Sequence, residues 1–411
     1  MNHLTRRGLI TGSSAALAGG AVAAALGVAA TAPGRTAAAD LADGRTDGPA
    51  SPATPALAVE PFHGVHQAGI DTPHQSFGAF IGLDLADGTT RPDVVRLLRL
   101  LTDDAERLTQ GRPALGDTEP ELATRPASLT ITVGFGHRFF DITGTAARRP
   151  AGVRPLPAFA GDKLQARWGQ SDVVVQVCTD DVTTLAHTQR MLIKDMRPFG
   201  SLPWVQRGFA SPGATPKGTA RNLMGQVDGT VNPEPGTDVF DRAIWATDPG
   251  WFAGGTVLVL RRVAMIMETW DAFDRDGKEQ VIGRRLDTGA PLTGTREEDI
   301  PDLEALDSLG FPVIEPNAHI RLAKARTEAE VLLRRPFSFD DGVDAAGTPD
   351  VGLLFAAFTV DPDRSFVPIQ RRLAENDLLN TWVTHIGSGV WAVPPGVAPG
   401  EFIGQGLLAE D

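Results

Sequence analysis

Gly255-Thr-Val-Leu-Val-Leu-Arg-Arg-Val-Ala-Met-Ile-Met267 is the stretch on which the fold of this 411-residue chain turns. Its aliphatic, β-branched run reads as a strand. Gly352-Leu-Leu-Phe-Ala-Ala-Phe-Thr359 reads as another, and Phe366 to Leu373 reads as extended, leading toward a helix over Asp377 to Ile386. A similar order stands in the first half. Gln75 to Asp84, Ser128 to Phe135 and Asp172 to Cys178 have strand character, while Asp93 to Leu108 and Thr183 to Met196 repeat apolar residues at helical spacing. Strand and helix order that returns once fits two related α+β units, each an antiparallel sheet covered by helices on one face, better than a parallel doubly wound sheet. The Gly/Pro/Ser-rich stretch from Pro198 to Arg221 places the boundary, giving domains over 61–210 and 211–411.

Composition bounds the function. Hydrophobic residues at 42% and charged residues at 22% are ordinary for a globular protein. A formal charge of −13, with no Lys/Arg cluster, argues against a nucleic-acid partner, because binding phosphate needs grouped cations. The single cysteine, Cys178, lies in a strand-like run and reads as a small core residue with no disulfide to form. Tyrosine is absent and tryptophan occurs seven times, so redox chemistry at a side chain would fall to tryptophan.

Thr5-Arg-Arg-Gly-Leu-Ile10 precedes an uncharged Ala/Gly-rich run over 12–32 and then Ala37-Ala-Ala39. This is the layout of a cleavable twin-arginine export signal over 1–39, with a membrane anchor as the alternative. Such signals serve proteins exported already folded, often around a cofactor. After cleavage no stable membrane span is expected, and the location is extracellular or the cell envelope. Residues 40–60, rich in Ala, Pro, Thr, Gly and Asp, read as a disordered tether.

In Arg221-Asn-Leu-Met-Gly-Gln-Val-Asp-Gly-Thr-Val-Asn-Pro233 a lone aspartate, Asp228, sits between Gly225 and Gly229 with no basic residue within six positions. By itself this reads as an Asp-Gly turn. Among the histidines, His63, His66 and His74 share a Gly/Pro-containing loop without Cys or carboxylate partners to complete a metal site, and His137, His187 and His385 read as structural. His319, in Glu315-Pro-Asn-Ala-His-Ile-Arg-Leu-Ala323, follows a loop and is succeeded by the paired arginines of Leu332-Leu-Arg-Arg-Pro-Phe-Ser-Phe339.

Taken together, Gly225-Gln-Val-Asp-Gly229, Asn317 to Thr327, Leu332-Leu-Arg-Arg335, Gly352-Leu-Leu-Phe355, Phe366 to Leu373 and Pro61 to Ile70 resemble the dye-decolourising peroxidases, a family of haem enzymes. The resemblance runs from about Pro61 to Pro395. It implies two ferredoxin-like domains of the dimeric α+β barrel type and one haem b per chain, held in the second domain. His319 matches the axial ligand, Asp228 the distal acid/base and Arg334 the distal arginine. Gly229, Thr230 and Val231, with Lys324, Ala325 and Arg326, match positions that line the haem, Arg326 as a propionate partner. Lys324-Ala-Arg326 departs from the family's Asn-Pro-Arg, and Pro336-Phe from its Gly-Tyr.

The chemistry fits the residue types. Heterolytic cleavage of hydrogen peroxide needs a base to carry a proton between its oxygens, and an aspartate is ionised even at mildly acid pH. Glycines on either side permit a tight turn and close approach to a macrocycle. Arginine supplies a permanent charge and a fork of donors for the departing oxygen. An acceptor at the other ring nitrogen of His319 would raise its basicity, with Asp377 and Glu375 the candidates. The expected partners are hydrogen peroxide and dyes, phenolic or other bulky aromatic reductants, with the oligomeric state left open. The alternative function is a deferrochelatase-type haem-handling protein of iron acquisition.

Overall fold

Strand β3 (Val173–Thr179) shows why a closed sheet forms: every residue of Val-Val-Val-Gln-Val-Cys-Thr is buried, so both of its faces must be covered. The computed structural model describes residues 55–211, 218–344 and 346–409, and the expected leader, with the tether as far as residue 54, lies outside the described residues. The remainder of the expected tether is tied down, Ala56 and Ala58 accepting backbone hydrogen bonds from Ala127 and Ser128.

The other strands are β1 (Phe77–Leu85), β2 (Thr130–Phe135), β4 (Gly200–Phe209), β5 (Ala220–Arg221), β6 (Val227–Asp228), β7 (Thr256–Met265), β8 (Leu333–Arg334), β9 (Phe337–Val343), β10 (Pro349–Thr359) and β11 (Val383–Val393). In the main sheet the order is β7-β11-β2-β3-β1-β4-β9-β10, and β10 pairs back onto β7, so the antiparallel sheet closes into a barrel with β8 added at the end of β10. Within each half the four strands run in the order fourth, first, third, second: β4-β1-β3-β2, then β11-β7-β10-β9. The two halves meet at narrow seams. Each seam is a single residue pair, Ala392 with Phe135 and Phe209 with Ser338.

Alternation along the strands sorts side chains to the two faces of the wall. Ala79, Ile81 and Leu83 of β1 pack with the helices Arg91–Thr109 and Val182–Met196, whereas Phe80 turns into the barrel with Leu258, Leu260, Phe337, Phe339 and Trp391. The first helix starts at a capping box of Thr90 and Asp93, and Asp181 caps the second by accepting from the Thr184 amide. Its apolar residues Val94, Leu97, Leu98, Leu101, Ala105 and Leu108 fall on one face, which is the face that is buried.

The quoted stretch forms β7, and its two arginines end on opposite sides of the wall. Arg261 pairs with Asp162 at 2.5 Å; Arg262 pairs with Asp341 at 2.9 Å and Asp350 at 3.0 Å. A central strand tolerates them because each charge is met by a carboxylate.

One expectation is reversed. Phe366–Asn376 is the helix, and Val383–Val393, inside and beyond the expected helix, is β11. Pro368 falls in the first turn, where its missing N–H costs nothing, and Phe366, Val367 and Gln370 give the helix a buried face. Residues 383–393 are claimed instead by pairing along the length of β7, a long-range ladder that outweighs local pattern. Strand β4 also occupies the Gly/Pro/Ser-rich stretch read as a boundary, its Trp204 packed against Trp391 in the barrel.

Candidate active site

Asp228 stands on a small hairpin. β5 and β6 pair Ala220 with Asp228, and the side chain of Asn222 ties the connecting turn by accepting from the amides of Met224 and Gln226. Gly225 takes φ +81° and Gly229 φ +118°, conformations that a side chain would strain, so the carboxylate is delivered at a sharp, fixed bend. Arg334 comes from β8, paired with Ala357 of β10. Its Nη1 lies 3.6 Å from Asp228 Oδ1, both groups about one-fifth exposed.

Strand alternation decides between the two neighbouring arginines. Arg335 is buried, donating to the Thr72 carbonyl, to the Pro73 carbonyl and to Gln75 Oε1 at 2.5 Å, and this anchoring leaves Arg334 to face the other way. A cavity of about 210 Å³ lies there, and Asp228, Gly229, Asn232, Arg334, His74 and Leu353 are among its walls.

His319 opens the short helix His319–Ala323. Its Nδ1 lies 2.6 Å from Asp377 Oδ2, so the Nδ1–H tautomer donates to Asp377 and leaves the Nε2 lone pair available to a metal. Of the two candidates for that acceptor, the structure selects Asp377; Glu375 is exposed. The Leu378 amide donates to the Asn317 carbonyl, pinning the chain on either side of the pair. Burial alone would lower the proton affinity of His319, but Asp377 outweighs it and the ring is held above the ordinary histidine value; Asp228 and Arg334 are near enough for their charges to act on it as well. His319 is not itself among the residues lining the 210 Å³ cavity.

The other candidates take varied positions. Gly229 lines the cavity, and Thr230 donates its hydroxyl to Glu297 at 3.0 Å. Val231 is 70% exposed. Lys324, Ala325 and Arg326 are exposed on the segment after His319, where Arg372 gathers the chain by donating to the carbonyls of Leu322 and Lys324 while pairing with Glu330 at 2.8 Å. Lys324 and Arg326 are exposed cations within reach of an anionic group, and the charge of Arg326 also acts on Glu330. His63, His66 and His74 go separate ways, and no cluster of three or more metal-ligating side chains occurs among the described residues.

Residues 67–210 match the family model for the N-terminal part of Dyp-type peroxidase, and residues 219–398 match that for the C-terminal part. The chain belongs to the Dyp-type peroxidase family. It is 51% identical to the DyP-type peroxidase of Cellulomonas bogoriensis, whose crystal structure it matches with a TM-score of 0.84 over 87% of this chain and 100% of that one. It is 38% identical to a dye-decolorizing peroxidase of Thermobifida fusca over 83% of each chain, and 35% identical to the deferrochelatase of Escherichia coli K12 over 85% of this chain and 87% of that one.

Within this Dyp-type peroxidase chain, sequence reading passed over residues that hold Arg334 and Thr230 in place. Asn232 accepts from the Arg334 amide at 3.1 Å and from its Nε at 3.3 Å, and donates to the Arg334 carbonyl at 2.7 Å. Glu297, buried, accepts from Thr219 at 2.5 Å and Thr230 at 3.0 Å and so joins two sides of the site. Asn232 was present in the quoted Asp228 stretch, but an Asn in a turn gives no sign of a partner 102 residues away.

Proposed function

We infer that the chain binds one haem b through His319 and uses Asp228 and Arg334 to cleave hydrogen peroxide heterolytically, drawing electrons from dyes, phenolic or other bulky reductants. One observation carries this reading: an imidazole whose Nδ1 is committed to a carboxylate at 2.6 Å, within electrostatic reach of an Asp–Arg pair at the wall of a cavity. The donor set fits haem, with a single neutral nitrogen for iron and, on the segment that follows, Lys324 and Arg326 open to propionates.

Bound haem, held by His319, would supply an iron for peroxide and the two electrons that cleavage of the O–O bond consumes, which the reductant then restores. Asp228 takes a proton from one peroxide oxygen and returns it to the other, so that water departs. Arg334 stabilises the negative charge on the leaving oxygen, its backbone held by two hydrogen bonds to Asn232 and its guanidinium by a third through Nε. Asp377 keeps His319 in the tautomer that ligates and raises its basicity, which favours the oxidised metal.

The reading extends to the rest of the chain. We take residues 61–210 and 211–411 as two ferredoxin-like domains, supported by the strand order shared between the halves, and residues 1–39 as a twin-arginine signal that exports the folded protein to the cell envelope or beyond. No helix among the described residues is long and apolar enough to cross a membrane. Bulky reductants are oxidised at tryptophan: four of the seven are buried, leaving Trp168, Trp251 and Trp382 to reach solvent. Peroxide treatment then yields tryptophan radicals and no tyrosyl signal.

The absorption spectrum of haem-loaded protein tests the ligand: His319→Ala loses the histidine-haem signature, and a spectrum unchanged from the parent's would overturn the assignment. Asp228→Ala loses peroxide cleavage on the order of 100-fold or more, as for removal of a catalytic base. The second reading follows from the likeness to a deferrochelatase. It predicts iron release with the porphyrin intact and no need for Asp228 in that release.

A further inference from the structure

His74 lines the same cavity as Asp228 and Arg334, although the sequence placed it only in a loop. Both ring nitrogens face carbonyl oxygens: Nδ1 is 2.9 Å from that of Gln75, Nε2 3.0 Å from that of Pro336. A neutral imidazole has one N–H, so it donates to one carbonyl and opposes a lone pair to the other. Only the protonated ring satisfies both. Pro336 lies two residues beyond Arg334, and Gln75 accepts from Arg335, so this loop of the first half grips the segment that carries the cavity arginine. The ring also rests on Phe337, with centroids 4.7 Å apart.

We propose that His74 is a positioning residue of the peroxide cavity, which on taking up a proton fastens Pro336 and so fixes the Arg334 guanidinium beside Asp228. The inference rests on the reading of Asp228 and Arg334 as the peroxide-handling pair. The charged groups around the ring are Arg334 and Arg335 on β8 and the turn after it, Asp228 on β6, Arg221 on β5, and Asp71, whose charge acts on Arg335. Burial, then Arg335, pulls the ring's pKa down to about 4 against the pull of the two carbonyls and Asp228. Above that value the ring is neutral and one contact is lost. Below it the ring is charged and both hold, so the grip tightens as the solution turns acid.

Fluoride binding to the haem-loaded protein, followed by absorption from acid to neutral pH, reads the cavity without turnover. In His74→Leu, affinity at acid pH falls up to about tenfold, the worth of one hydrogen bond to a charged group. His74→Gln, which still donates to Pro336 but does not titrate, restores affinity while the acid-side step shrinks to what Asp228 and fluoride themselves contribute. Arg334→Leu weakens fluoride binding at every pH. If Arg334→Leu binds weakly while His74→Leu follows the parent curve throughout, the proposal fails and the reading of the pair stands. If Arg334→Leu also follows the parent curve, both fail. Should His74→Leu not fold, His74→Gln decides alone, and an acid-side step identical to the parent's overturns the proposal.

Discussion

Adjacent arginines with different work show how residue chemistry depends on which way a strand turns its side chains. Arg334→Leu removes only charge and donors from the cavity, so peroxide turnover falls on the order of 100-fold with little change in melting temperature. Arg335→Leu leaves the Thr72 and Pro73 carbonyls and Gln75 without their buried donor, a cost of roughly 3 kcal/mol that thermal unfolding records. Swapped outcomes would reverse the assignment. Asp377→Asn keeps an acceptor for His319 but loses its charge. Haem affinity or activity then falls about tenfold or more, and spectroelectrochemistry finds the iron easier to reduce. His319, Asp228 and Arg334 were singled out because each lies in a short motif, and Arg334 stands beside Asp228. Asp377 was one of two candidates because it reaches His319 across 58 positions, from a segment whose helix and strand had been interchanged.

Elements were legible where the pattern was local. The helix Arg91–Thr109 declares itself by cap and apolar spacing, and β3 by an unbroken buried run. Residues 366–393 misled because amphipathic spacing over 366–376 was read as extended and the strand that follows is set by β7, more than a hundred positions upstream. Between the helices Arg91–Thr109 and Val182–Met196 a titration can be read from the packing. Burial first, then neighbouring Asp104, raises the Asp195 carboxyl from 3.8 to about 8. The folded chain therefore holds a proton that the unfolded chain has released throughout that window, so stability is greatest at its acid end and declines as pH rises toward about 8. Melting temperatures measured across the window show this decline, and Asp195→Asn, permanently neutral, flattens it. A slope unchanged in the variant would place the titrating group elsewhere.

For the whole molecule, closure of the sheet is what the sequence concealed. The returning strand order was visible, but how two sheets meet depends on edges, and Phe135 and Ser338 carry no mark of pairing with Ala392 and Phe209. Each seam of the sheet is one residue pair wide, and backbone hydrogen bonds outside it, such as Lys163 to His385, Gln165 to Ile386 and Gly64 to Val397, add to the join between the halves. The buried interior adds to these, as do side-chain contacts that cross between the halves: the Arg335 anchor in the Thr72–Gln75 loop, Arg261 with Asp162, and Gln170 with Val390. A backbone cut after β4 would leave these contacts available to both pieces. Two separately made fragments should reassemble on mixing and recover peroxidase turnover together, and Arg335→Leu in the second fragment should weaken their association. The enzyme is in this sense a natural two-part lock, with several guanidinium groups lent by one piece to the other.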